Sequence, residues 1–214
     1  MTPGPARESV ADRLARSGAM SVDEAIEIGV GVADALAELH RRHEVHGGVT
    51  TERIWLEGPR VTLAPSDPAT PDGHGEVRAP EVLGGDAPDA RSDHFALGCV
   101  LYEMVAGRPP FAGATADAVA DAVRAGNVTP LSRHQPLVPP SLVRLVDTCL
   151  EPDPDRRWQS ARDLGRELAW VGTLDEAASE RLEDDTRVST PRLYGLLGLA
   201  AGFVLSGAVR ACGS

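Results

Sequence analysis

Helical spacing of apolar residues begins at Ser21. Val22, Ala25, Ile26, Gly29, Val32, Ala33, Leu36 and Leu39 return every three or four positions, while Asp23, Glu24, Glu27, Asp34, Glu38 and Arg41 fill the opposite face. This pattern predicts an amphipathic helix. The S-V-D-E run at Ser21 reads as a capping box at its start, and the cations from Arg41 to His43 suit its C-terminal end. Residues 1–18 show no such period and are expected to be a flexible lead-in. Farther on, RIWLEG and RVTLAP flank Gly58-Pro59, which predicts one small hairpin, and residues 64–78 form a Pro/Gly/Asp loop. Asp93 to Ala106 is apolar on nearly every side and is closed by Gly107, as expected of a helix buried all round. Three further helices have readable ends: Thr115–Ala125 closed by Gly126, Ser141–Leu150 introduced by Pro139-Pro140, and Ser160–Val171 with an S-A-R-D cap.

The last apolar run is of another kind. From Leu193 to Val209 there are 17 residues without a charge, between Arg192 and Arg210, which meets the lower length limit of a transmembrane helix. Tyr194 suits its interfacial end; a buried C-terminal helix is the alternative. Arg181, Arg187 and Arg192 precede the run and only Arg210 follows it, which places the body on the cytoplasmic side by the positive-inside rule. Gly198, Gly202 and Ser206 make a small-residue stripe at four-residue spacing, a surface on which two such helices could pair as a homodimer. The expected organisation is therefore a lead-in at 1–18, a mainly α domain at 19–172 with at most a small β-hairpin, and an acidic linker at 173–192. A membrane helix at 193–209 and a short tail at 210–214 complete it.

Composition narrows the chemistry. The 214 residues carry 21 Lys+Arg against 32 Asp+Glu, a formal charge of −11, and all 21 cations are arginine. Without lysine there is no Schiff-base amine and no phosphate-loop lysine. The acidic balance argues against a nucleic-acid partner, because phosphate contacts need a basic face. Cys99, Cys149 and Cys212 are odd in number and far apart, which suits free thiols rather than a disulfide framework or a zinc site. His40, His43 and His46 recur at a spacing of three, but they sit at a charged helix end, and no metal site is assigned to them.

Three ordered motifs then give the domain a family likeness. APEVLGG at 79–85, DARSDHFALGCVLYEMVAGRPPFAG at 89–113 and EPDPDRRWQSARDL at 151–164 resemble the C-terminal lobe of bacterial Ser/Thr protein kinases. The resemblance covers about 20 to 171 and implies a mainly helical kinase-like lobe. It implies that Ala79, Pro80 and Glu81 end the activation segment, that Arg157 pairs with Glu81, and that Asp93 holds the catalytic-loop backbone. As a plain reading, Asp93 is also a helix N-cap.

The catalytic motifs depart from the family pattern. Where H-R-D-L-K-P-x-N would stand, the chain reads His46-Gly47-Gly48-Val49-Thr50-Thr51-Glu52-Arg53. The resemblance thus places the base position at Gly48, the lysine position at Thr50 and the magnesium-ligand position at Arg53. The D-F-G aspartate position holds Pro65, and Asp67, two residues on, reads as a turn former. The family's N-terminal lobe needs strands ahead of the first helix, where about 20 residues stand.

From these departures the expectation is a degenerate, pseudokinase-like chain that is not an enzyme and uses no cofactor. It would be membrane-anchored and would act in signalling by binding a protein partner, such as a kinase or its regulator. The alternatives are a Ser/Thr kinase completed in trans by a separate N-lobe, or a truncated gene without a selected function.

Overall fold

The structure, a computed structural model, describes residues 7–66 and 77–173. Its organising element is helix α4 (Ala90–Ala106), in which twelve residues from Ser92 to Val105 are buried. A helix apolar on all sides needs walls on all sides, and neighbours close around it. Helix α2 (Val22–Arg41) presents Ala25, Ile26, Ile28, Val32, Ala33 and Leu36, and helix α6 (Pro140–Cys149) presents Leu142, Leu145, Val146 and Cys149. Both approaches are close because glycines face them. A Cβ on Gly29 of α2 would lie 2.7 Å from Leu101 Cδ2, and one on Gly98 of α4 would lie 2.4 Å from Cys149 Cβ. The last described helix, α7 (161–173), buries Ala161, Leu164, Leu168 and Val171 and passes Ala33 of α2 at Gly165.

The helix ends follow the local chemistry. Ser21 caps α2 by accepting the Glu24 N–H, and Thr115 caps α5 (Ala116–Arg124) through the Ala118 N–H. Pro140 occupies the first turn of α6, where its missing N–H is no loss. Gly107 closes α4 at φ 68, the left-handed conformation glycine adopts freely. Helix α4 starts earlier than its apolar run suggests, because Asp89 and Ser92 form a capping box. Asp93 is therefore not the N-cap, and its carboxylate is available for longer-range contacts. Between α4 and the loop at 64–66 lies the one-turn α3 (Pro80–Leu83), with Ala79 before it and Pro80 inside it.

Two expectations are corrected. Residues 1–18 do not all form a flexible lead-in: Glu8–Ser9 is a strand, β1, and Val10–Ser17 is a helix, α1. The hairpin of β2 (Ile54–Glu57) and β3 (Arg60–Leu63) thus gains a third antiparallel strand, in the order β1-β2-β3, with Ser9 opposite Trp55 and Ile54 opposite Leu63. Ser9 and Asp12 cap α1 reciprocally, Val10 is fully buried, and the Arg13 guanidinium reaches Glu24 at 2.9 Å. The chain is thus helix-rich with few strands, as expected at the level of class. The predicted membrane helix at 193–209, with Gly198, Gly202 and Ser206, lies outside the described residues, as does the linker from residue 174. Among the described residues no helix is long and apolar enough to cross a membrane.

Because the α4–α6 contact has no slack, Gly98→Ala is expected to lower unfolding free energy by about 1–3 kcal/mol in urea melts. Gly58→Asn, at a hairpin turn with open space around it, should change it by less than about 1 kcal/mol.

Candidate functional site

The first turn of α4 carries two adjacent polar residues, each of which holds a different part of the lobe. Asp93 is 1% exposed, so its carboxylate needs donors to offset the loss of water. It has three. The His46 N–H donates to Oδ2 at 2.9 Å, the Gly47 N–H donates to Oδ1 at 2.8 Å, and His40 Nε2 meets Oδ2 at 2.8 Å. The end of α2, the loop that follows it and the start of α4 are joined at one carboxylate. Gly47 sits at φ 70, so glycine suits the turn that aims its N–H.

The loop then reaches the strand end. His46 Nε2 lies 2.7 Å from the Ala64 carbonyl and Arg53 Nη1 donates to the Pro65 carbonyl at 2.6 Å. With a carbonyl facing Nε2, that nitrogen is the donor, and Nδ1 is left as the buried lone pair without a partner. Thr50 Oγ1 is likewise buried without a hydrogen bond, and Gly48 offers no side chain at all.

The second tie is the predicted ion pair. Arg157, with a fully buried side chain, donates from Nη1 to Glu81 Oε1 at 2.9 Å and from Nη2 to Oε2 at 2.7 Å. Its remaining donors go to the carbonyls of Glu151, Arg91 and Pro152, and the guanidinium lies 4.8 Å from the Phe95 ring centre. Five N–H donors thus meet five acceptor contacts, the fixed fork that only arginine supplies. Ser92 Oγ completes the Glu81 carboxylate at 2.7 Å. Burial alone would raise the Glu81 pKa. The bonds from Arg157, its own backbone N–H and Ser92, with the Arg157 charge, outweigh that and lower it.

Other titrating groups are shaped by burial. His94 donates from Nδ1 to the Trp158 carbonyl at 2.8 Å, and burial is the first cause that lowers its pKa. Glu103 is partly buried on α4. Burial first and Glu52 second push it up to about 7.

The structure brings Glu81 to Arg157 and Asp93 to the backbone of His46 and Gly47, and adds contacts from His40, Ser92 and Arg53 that the sequence did not signal as plainly. His40 had a signal: it lies four residues after Leu36, on the buried face of α2. The three histidines do not converge. His40 meets Asp93, His46 meets Ala64, and His43 is exposed at φ 59. Among the described residues no group of three or more His, Cys, Asp or Glu is placed to hold a metal ion.

The protein kinase domain family model matches residues 5–167. The chain belongs to the protein kinase family. Its relatives include serine/threonine-protein kinase PknB of Mycobacterium leprae, 31% identical over 75% of this chain and 28% of the relative. PknB of Mycolicibacterium smegmatis is 33% identical over 75% of this chain and 28% of its own length, and that of Mycobacterium tuberculosis H37Rv is 29% identical over 89% and 32%. The chain therefore spans about a third of the length of the curated relatives it matches. Among solved structures, Rad53 in complex with AMP-PNP aligns with a TM-score of 0.67 at 22% identity, covering 80% of this chain and 45% of that one. That likeness concerns the fold.

These findings correct the expectation that the chain is not an enzyme. The family match and the relatives, which are named serine/threonine-protein kinases, point to a family of enzymes and do not support the expectation.

Magnesium, which the family uses with ATP, fits poorly at the two corresponding positions. A hard divalent cation takes carboxylate, amide or carbonyl oxygens. Here Arg53 brings a cation, and the Pro65 carbonyl already accepts from it.

Arg157→Ala should lower stability by about 3–5 kcal/mol in denaturant melts, since it strands the Glu81 carboxylate. The pH dependence of Glu103 has a definite sign. Its folded pKa lies above the ordinary 4.5, so the unfolded chain ionises first as pH rises toward 7 and stability falls over that window. Glu103→Gln should therefore gain about 1–3 kcal/mol over the parent at pH 8 and almost nothing at pH 4, read from paired urea melts.

Proposed function

We propose that this kinase-family chain works by holding a protein partner in a signalling assembly, with the described lobe as a rigid docking body. Residues 193–209 would be its membrane anchor and the lobe would face the cytoplasm. The observation that carries this reading is the completeness of the frame. Asp93 has three donors and Arg157 uses all five of its N–H groups, so the lobe can present a fixed surface. Binding needs that frame and little else. The partner would be another kinase or a regulator of one, and pairing through Gly198, Gly202 and Ser206 would bring two copies together.

The relatives favour a second reading, in which the chain takes part in phosphoryl transfer. Gly48, Thr50 and Arg53 stand at the base, lysine and metal-ligand positions, so a partner chain would have to supply those groups in trans. Both readings need a partner.

One experiment separates them. The full chain is purified in detergent with its stoichiometric partner, and transfer of labelled phosphate from ATP to protein is measured with and without this chain. A stable complex in which this chain adds no transfer supports the docking reading. Transfer that depends on this chain supports the second, and the absence of any stoichiometric partner overturns both. Retention of the full chain in membranes washed with alkaline carbonate supports the anchor, and its release into the wash would reject it.

A further inference from the structure

We propose that Arg53 is a positioning residue whose guanidinium ties the segment leaving β3 to the loop between α2 and β2, doing with a tethered charge what a divalent cation would otherwise do there. The inference goes beyond the proposed function and is the same under either reading.

Three bonds cross this junction. The Ala64 N–H donates to the Arg53 carbonyl at 2.8 Å, His46 Nε2 donates to the Ala64 carbonyl at 2.7 Å, and Arg53 Nη1 donates to the Pro65 carbonyl at 2.6 Å. Two successive carbonyls of the departing segment are thus held from the loop. The loop in turn is fixed at its start by Asp93, and at its end by the pairing of Ile54 with Leu63. Pro65 has no N–H to contribute, so holding it from the protein side requires a donor aimed at its carbonyl.

Arginine is suited to that task. Its charge persists at every working pH, and a hydrogen bond from a charged donor is stronger than a neutral one. A divalent cation bridging the same loop and strand end would have to be drawn from solution against this resident positive charge. The placement of residues 64–66 is therefore set by a side chain, and the concentration of free magnesium does not enter.

The test is amide hydrogen exchange on the full chain, followed by mass spectrometry of peptides spanning 46–53 and 60–66. In the parent protein, exchange of the Ala64 amide, which donates to the Arg53 carbonyl, should be the same in millimolar magnesium and in EDTA. Arg53→Met, similar in length but without donors, should speed exchange at that amide about tenfold while α4 stays protected. Arg53→Lys should recover part of that loss. Unchanged exchange at Ala64 in Arg53→Met overturns the proposal, and so does magnesium-dependent protection in the parent. If Arg53→Met also loses protection in α4, it has unfolded more widely; Arg53→Lys and the magnesium comparison in the parent then decide by the same criteria.

Discussion

A carboxylate withdrawn almost wholly from water is the constraint around which this lobe is arranged. Asp93 at its depth needs donors to replace lost water, and the donors it finds come from places distant in the chain: the last turn of α2 and two consecutive backbone N–H groups of the next loop. The residue before it, Ser92, turns the other way and joins Glu81, which is gripped by Arg157. One helical turn thus orients the loop between α2 and β2 on one side and the end of the 77–83 segment on the other. The buried apolar length of α4 keeps that turn from moving, because α2 and α6 meet it where Gly29 and Gly98 leave no spare volume.

What could be read from the chain follows from how local each signal is. Helix α2 was visible because its period and its Ser21 cap lie within one stretch, and α4 because a run with no polar face has few other homes. The hairpin was visible from Gly58-Pro59. Strand β1 was not, since two residues have no period, and α1 hid because its cap pairs Ser9 with Asp12 rather than with a longer acid. At the site, the pairing of Glu81 with Arg157 was implied by the family resemblance. The role of His40 depended on the facing of a helix end, and that of Arg53 on where a flexible side chain finds an acceptor. Neither is written in neighbouring residues.

Family membership and the state of individual positions answer different questions. The protein kinase match extends over residues 5–167 and reflects a packed lobe, whereas Gly48, Thr50, Arg53 and Pro65 describe what a few atoms can do. A fold carries its architecture wherever its core and ties survive, and chemistry requires specific groups at specific points. In this chain the ties are complete in atomic detail, while the loop they hold carries a guanidinium where the family carries a metal ligand.

The ion pair between Glu81 and Arg157 spans 76 positions, and the contacts of Asp93 with the preceding loop span 46 and 47. Contacts so distant along the chain close large loops before they repay the entropy of closing them. During synthesis, helix α4 would leave the ribosome well ahead of Arg157, and the carboxylate of Glu81 would wait unpaired until the last third of the lobe had been made. A nascent chain paused before residue 157 would hold α2, α4 and α6 but leave Glu81 without the guanidinium that closes the lobe.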